Sequence, residues 1–157
     1  ACSKGCNYCC ANHAIPITPL EIMGVSWHAT ELLSGEVRHV VKQQLTAWND
    51  TISQVGARVC PFNVRSVCSV YPVRPIACRQ FCVFDTQCVE GENVYEERRQ
   101  DVLTPLYAFK ERADRIMLAH YGFSSDAAAR KALEDEYLRK NSQLLLQCDW
   151  TVLGKKM

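Results

Sequence analysis

Cys2-Ser3-Lys4-Gly5-Cys6-Asn7-Tyr8-Cys9-Cys10 opens the chain, and Cys60, Cys68, Cys78 and Cys82 return near its middle. Thiols grouped this densely read as ligands for a soft metal or a metal cluster. The fold then has to bring two stretches about fifty residues apart to one place, with long loops carrying the sulfur. A chain of 157 residues is long enough to bury a core of its own, so cysteine is not needed to hold it together. Ten cysteines in that length fall short of the roughly 8–10% that marks a small disulfide framework. A purely structural disulfide protein is the minor alternative.

Charge narrows the function classes. Eighteen basic residues stand against seventeen acidic ones, a net charge of +1, and the signs alternate along the chain. That gives no electrostatic case for nucleic acid or for an anionic membrane surface. Nothing before Cys2 resembles a secretory leader, and no window reaches the ~18–20 apolar residues of a membrane span. The expectation is a soluble, cytoplasmic protein in a reducing compartment. It is read as one domain over residues 1–157, with a Cys-rich core at 1–93 and a helical C-terminal part at 94–157. The fold class is mostly α: a small helical domain with long Cys-rich metal-binding loops and a short β-hairpin.

Local signals place these parts. Thr18-Pro19-Leu20-Glu21 predicts a helix start, with Thr18 as cap, Pro19 at the first helical position and Glu21 completing a capping box. Leu20, Met23, Trp27 and Leu32 follow at rough helical spacing, and Ser34-Gly35 breaks the pattern. A second helix is predicted over residues 36–55, with Val37, Val40, Val41, Leu45, Trp48, Ile52 and Val55 on one face and Gly56 ending it. Residues 57–93 have no amphipathic face and need an outside constraint to be ordered. Within them, residues 64–73 are expected to form a small hairpin. Pro75 is expected to open a helical turn that puts Cys78 and Cys82, at i and i+4, on one face. Residues 94–121 predict one long helix or two joined near Pro105. Ser124-Ser125-Asp126 caps another, running through at least Leu138 and laced with the pairs Arg130/Glu134, Lys131/Asp135, Asp135/Arg139 and Glu136/Lys140.

The candidate metal ligands are Cys2, Cys6, Cys9, Cys10, Cys60, Cys68, Cys78 and Cys82. One zinc or one [4Fe–4S] cluster takes four ligands in the simplest case. Eight thiols therefore leave three arrangements open: one cluster with spare cysteines, two separate metals, or a bridged polynuclear site. Arg74 and Arg79 flank Cys78, where a cation lowers a thiol's pKa and offsets thiolate charge, and both are candidate cofactor-binding residues. Arg58 and Arg65 flank Cys60 and Cys68 with a weaker claim. His13 could supply a nitrogen ligand or a proton, although a lone histidine is more often a surface residue. His28, His39 and His120 fall in predicted helices. Cys88 is a spare ligand, and Cys148 beside Trp150 is expected to be a buried small hydrophobe.

Three of the first cysteines, at C-x3-C-x2-C, resemble the cluster loop of radical-SAM enzymes, although that family's barrel does not fit in 157 residues. The larger resemblance takes in the doubled Cys9-Cys10, Cys60-Pro61-Phe62, and Cys68-Ser69-Val70-Tyr71-Pro72-Val73-Arg74-Pro75-Ile76-Ala77-Cys78-Arg79-Gln80-Phe81. In this order they resemble the YkgJ-like (CxxCxxCC) zinc- or iron-chelating cysteine-cluster family over residues 2–82, and the Thr18-Pro19-x-Glu21 helix start is similar too. The resemblance implies a metal- or cluster-binding domain. Related cysteine-rich segments occur in flagellin lysine N-methylases, but this chain has no Gly-rich loop for an adenosyl cofactor. The leading expectation is an iron–sulfur cluster of the [4Fe–4S] type with an electron-transfer or redox-linked role and an unidentified redox or protein-substrate partner. Zinc in a structural or metal-handling module is the alternative, and a cluster-dependent protein-modifying enzyme is a further one.

Overall fold

The computed structural model describes residues 2, 5–12, 14–51, 59–89 and 91–157. The sequence readings of His13, Ile52, Val55, Gly56 and Arg58 lie outside them.

The chain is mostly helical, and its strands come only as two-residue pairs. Helix α1 is a single turn at Cys9–Asn12, followed by strand β1 at Pro16–Ile17. Helix α2, Pro19–Trp27, starts on the expected capping box: Thr18 Oγ accepts from Glu21 N–H, and Glu21 Oε2 accepts from Thr18 N–H at 2.8 Å. A π-helical turn, His28–Leu32, extends it. The buried face differs from the expected spacing, because Val25 and Ala29 point inward while Met23, Trp27 and Leu32 are exposed.

Helix α3, Gly35–Thr46, stops nine residues before the predicted end at 55, and a 3-10 turn at Asn49–Thr51 follows. Val41, Leu45 and Trp48 are buried, whereas Val37 is exposed. The main core gathers these with Ile17, Val25, Phe62, Val70, Leu145, Trp150 and Leu153. Its C-terminal wall is helix α9, Thr151–Lys156, which the periodicity did not announce. Asp149 Oδ1 accepts from Thr151 N–H at its start. Helices α3 and α9 pack so closely that a Cβ on Gly154 would lie 2.7 Å from the Thr46 nitrogen. Only glycine lets the two backbones meet there.

Strands β2, Asn63–Val64, and β3, Val67–Cys68, form the expected hairpin in tighter form. Asn63 pairs with Cys68 and Val64 with Val67, around Arg65 and Ser66 at φ 51° and 64°. Two successive positive φ values are the geometry of a two-residue type I′ turn. Helix α4, Ile76–Gln80, carries Cys78 but ends before Cys82, because Phe81 turns extended and the chain runs on to bridge Val83 with Val102. The shared helix face for Cys78 and Cys82 is therefore replaced by two different backbone supports.

Residues 94–121 break into helix α5, Val94–Glu97, a 3-10 turn at Arg99–Asp101, an extended stretch at 102–106, and helix α6, Tyr107–His120. Ser125 caps helix α7, Asp126–Glu134, by accepting from Ala128 N–H. The expected run past Leu138 is interrupted at Glu136, φ 53°, before the short helix α8, Tyr137–Lys140. Ion pairs there join Arg130 to Asp126 and Arg139 to Glu136. The interruption returns the chain so that strand β4, Gln143–Leu144, pairs antiparallel with β1. Among the described residues no helix is long and apolar enough to cross a membrane.

Candidate metal centre

The local folds above deliver sulfur to one place. Cys2, Cys6, Cys9, Cys10, Cys60, Cys68, Cys78 and Cys82 all line a single cavity of about 740 Å³, and Cys88 lines it too. The two distant stretches are joined directly, since Cys60 N–H donates to the Cys10 carbonyl at 2.9 Å. All ten cysteines are free thiols. Cys148 lies elsewhere, in the main core, with its thiol donating to the Leu144 carbonyl at 3.4 Å and its pKa pushed up to about 11 by burial.

Each wall has a local cause. Gly5, at φ +92°, turns the chain between Cys2 and Cys6, and Cys10 N–H donates to the Asn7 carbonyl to start α1. On the opposite wall the hairpin holds Cys60 and Cys68 on its two arms: Asn63 N–H donates to the Cys60 carbonyl at 2.9 Å, and Ser69 N–H to the Phe62 carbonyl at 2.8 Å. Glu21 serves both regions, because its Oε1 accepts from Ile76 N–H at 2.7 Å at the start of α4 while its Oε2 caps α2. The helix-start signal and the Cys78 helix thus share one carboxylate.

The two arginines named from sequence take different positions. Both line the cavity. Arg74 stacks on the Tyr71 ring, 3.9 Å from its centroid, and its Nε is buried without a partner. Arg79 clamps the 71–75 turn, donating from Nε to the Arg74 carbonyl at 3.1 Å and from its terminal nitrogen to the Pro72 carbonyl. Arg65 sits at the hairpin tip, paired with Glu36. His28 lies in the π-helical turn, His39 in α3 and His120 at the end of α6, and none of the three lines the cavity.

Electrostatics single out one thiol. A hydrogen bond from the Cys9 thiol, together with the Asn63 amide and the Arg74 charge, brings Cys10 down to about 7. Its neighbour Cys9 moves the other way, because it is the donor in that bond and because it is buried. Burial raises Cys60 and Cys68, and it pushes Cys78 up to about 12. A buried thiol held neutral this way becomes a thiolate when a cation compensates its charge. Asn63 Nδ2, like Arg74 Nε, is buried with no nitrogen or oxygen acceptor. N–H donors of this kind beside clustered sulfur, the Asn63 amide acting on Cys10 among them, fit an anionic thiolate centre, which takes N–H···S bonds.

A network that the sequence reading missed orders the 82–89 loop. The Asp101 carboxylate accepts from the backbone N–H groups of Phe84, Asp85 and Thr86 at 2.9, 2.6 and 3.3 Å. Arg98 pairs with both Asp101 and Glu92, and Glu92 accepts from Val89 N–H at 3.0 Å. An acid, a base and an acid at positions 92, 98 and 101, across the border between the Cys-rich stretch and the predicted helix, were the available signal. The Asp85 N–H bond, with those of Thr86 and Phe84 and the Arg98 charge, holds the Asp101 carboxyl below its usual range. A carboxyl depressed in the folded state contributes stability above its unfolded value, about pH 4, that is lost as pH falls through the folded value. Asp101→Asn should therefore lower the melting temperature by several degrees at pH 7. The difference from the unsubstituted protein should shrink as thermal melts are taken from pH 6 down to pH 3, and a gap independent of pH would refute the assignment.

The chemistry of the wall is selective. Its lining residues include nine cysteines and, among the described residues, no carboxylate or imidazole. Sulfur-only ligation suits zinc, copper(I) or iron–sulfur clusters and disfavours magnesium, calcium and manganese. Among the described residues no group of three or more His, Cys, Asp or Glu is arranged to hold a single metal ion as it stands. The comparisons agree with this chemistry: a family model, "CxxCxxCC: Putative zinc- or iron-chelating domain", matches residues 1–104. Searches of curated proteins and of solved structures give no match.

Proposed function

The chain belongs to the CxxCxxCC family of zinc- or iron-chelating domains, and we propose that its cavity holds an iron–sulfur centre of the [4Fe–4S] type, with ligands drawn from the thiolates of Cys2, Cys6, Cys9, Cys10, Cys60, Cys68, Cys78 and Cys82. The observation that carries this reading is the convergence of all eight on one sulfur-walled cavity of about 740 Å³. That volume has room for a cluster. The same ligands suit zinc chemically, so zinc is the second reading.

Arg74 and Asn63 supply positive charge and N–H donors toward the thiolates, and Arg79 holds Arg74's turn in place. An iron–sulfur centre would supply one-electron chemistry, with its potential set by such hydrogen bonds, nearby charge and burial. Cys2 is exposed, so the rim of the cavity meets solvent where a redox partner could approach. Residues 1–157 act as one cysteine-cluster domain, in which the helical C-terminal part buttresses the hairpin. Free thiols in this number are kept reduced in a cytoplasmic compartment.

Anaerobic purification with absorption spectra, iron, acid-labile sulfide and zinc analysis tests the proposal. The expected protein is brown, loses colour in air, and contains iron and sulfide in equal amounts. A colourless protein with zinc would replace the cluster with the second reading, and a protein holding neither metal, with its thiols oxidised, would overturn both.

A further inference from the structure

The nine thiols around the cavity do not stand on one foundation. Cys60, Cys68 and Cys10 are tied to the main core: Cys60 and Cys68 pack against it, and the Cys10 carbonyl receives the Cys60 N–H. Cys78 joins them from α4, whose Ile76 N–H is held by the Glu21 carboxylate of α2, the helix that buries Val25 in the main core.

The remaining thiols rest on a second, smaller apolar cluster of Val83, Cys88, Val94 and Val102, against which Tyr8 and Phe81 pack. Cys82 is fixed to it by its carbonyl, which receives Leu103 N–H at 2.8 Å, and by the Val83–Val102 bridge. The Cys2 sulfur accepts the Val83 N–H at 3.4 Å, and the Cys82 thiol donates to the Val83 carbonyl at 3.6 Å. Cys88 is buried in this cluster, and Cys6 stands two residues before Tyr8, which packs against it. Cys9 lies between Tyr8, on the second cluster, and Cys10, tied to the first.

We infer that the cavity holds two metal centres, one on Cys10, Cys60, Cys68 and Cys78 and the other on Cys2, Cys6, Cys82 and Cys88, with Cys9 between them. The inference rests on the metal-binding reading above. It makes Cys88 a ligand, and it assigns the Asp101–Arg98–Glu92 network the task of shaping the second centre's loop. Each group supplies the four thiolates that one [4Fe–4S] cluster or one zinc takes. The Val83 N–H on the Cys2 sulfur is the kind of hydrogen bond that stabilises a ligating thiolate.

Metal content per chain tests this on the full-length protein purified anaerobically, with iron, sulfide and zinc all measured. Cys88→Ser and Cys6→Ser should each halve the content, and Cys68→Ser should halve it as well while removing the other half. The double variant Cys88→Ser/Cys68→Ser should be empty. Because Cys88 is buried, far-UV circular dichroism checks its fold, and the half-buried Cys6 keeps the test decisive if Cys88→Ser does not fold. Unchanged content in Cys6→Ser, or complete loss in either Cys6→Ser or Cys68→Ser, means a single centre and overturns the partition alone. Unsubstituted protein without metal overturns the metal reading and the partition with it.

Discussion

Stripping the metal from the anaerobic protein with a chelator lowers its melting temperature by roughly 8–16 °C. A ligand that binds only the folded state stabilises it by about 4 kcal/mol once its free concentration exceeds the dissociation constant a thousandfold. For a chain of this length each kcal/mol shifts the midpoint by about 2–4 °C. The effect is large because the described part of residues 59–104 is held by short elements: a two-residue ladder, helices of four or five residues and an apolar cluster of four side chains, beside Phe62 and Val70 in the main core and the Asp101 network. Fixing each backbone residue costs about 1–2 kcal/mol, and so small a cluster offsets little of it. The loss should be local. Amide exchange at 60–69 and 82–89 should accelerate in the apo protein, while amides in α3, which packs on α9 in the main core, keep their protection. Coincident melts and unchanged exchange would show that the metal adds nothing to the fold.

How much of this was legible follows from how local each signal is. Thr18 and Glu21 lie three residues apart, and their capping box formed as the sequence indicates. Ser125 capped α7 for the same reason. The grouping of eight cysteines in two stretches indicated metal ligands without choosing how many centres they serve, and the cavity brings all eight together.

Signals that depend on distant contacts were not legible. The i, i+4 spacing of Cys78 and Cys82 suggested one helix face, but pairing of Val83 with Val102 pulled the chain out of the helix after Gln80. Nothing in residues 135–138 marks a helix break, as no glycine or proline occurs there. Glu136 nevertheless takes a left-handed conformation, and beyond α8 the chain pairs with Pro16 and Ile17. Tertiary pairing overrode local propensity in both cases. Helix α9 is six residues long, too short for a periodic pattern, and its role depends on Gly154 meeting a backbone more than a hundred positions away. Cys88 reads from the sequence only as a spare ligand, because it lies outside the two spaced groups, and its burial beside Val83 and Val102 brings it to the cavity.

Trp150→Ala should destabilise the protein by about 3–5 kcal/mol, the range for removing a buried aromatic from a packed core. The ring is 2% exposed, meets Phe62 edge-on at 4.9 Å with an interplanar angle of 85°, and donates from Nε1 to the Leu145 carbonyl at 2.8 Å. Truncation leaves a cavity and leaves the Leu145 carbonyl with only the longer bond from Cys148 N–H, at 3.4 Å, so two costs add. Phe62 follows Cys60-Pro61 directly and its carbonyl receives both the N–H and the hydroxyl of Ser69, so the lost ring contact loosens the hairpin that presents Cys60 and Cys68. Urea or thermal unfolding at equal metal occupancy measures the first effect, and metal retention during dialysis against a weak chelator measures the second. Trp150→Phe keeps most of the volume and should lose less stability and less metal than Trp150→Ala. A Trp150→Ala protein within about 1 kcal/mol of the unsubstituted one, a change expected only where a site is not tightly packed, would mean that the C-terminal helix does not support the metal-binding hairpin.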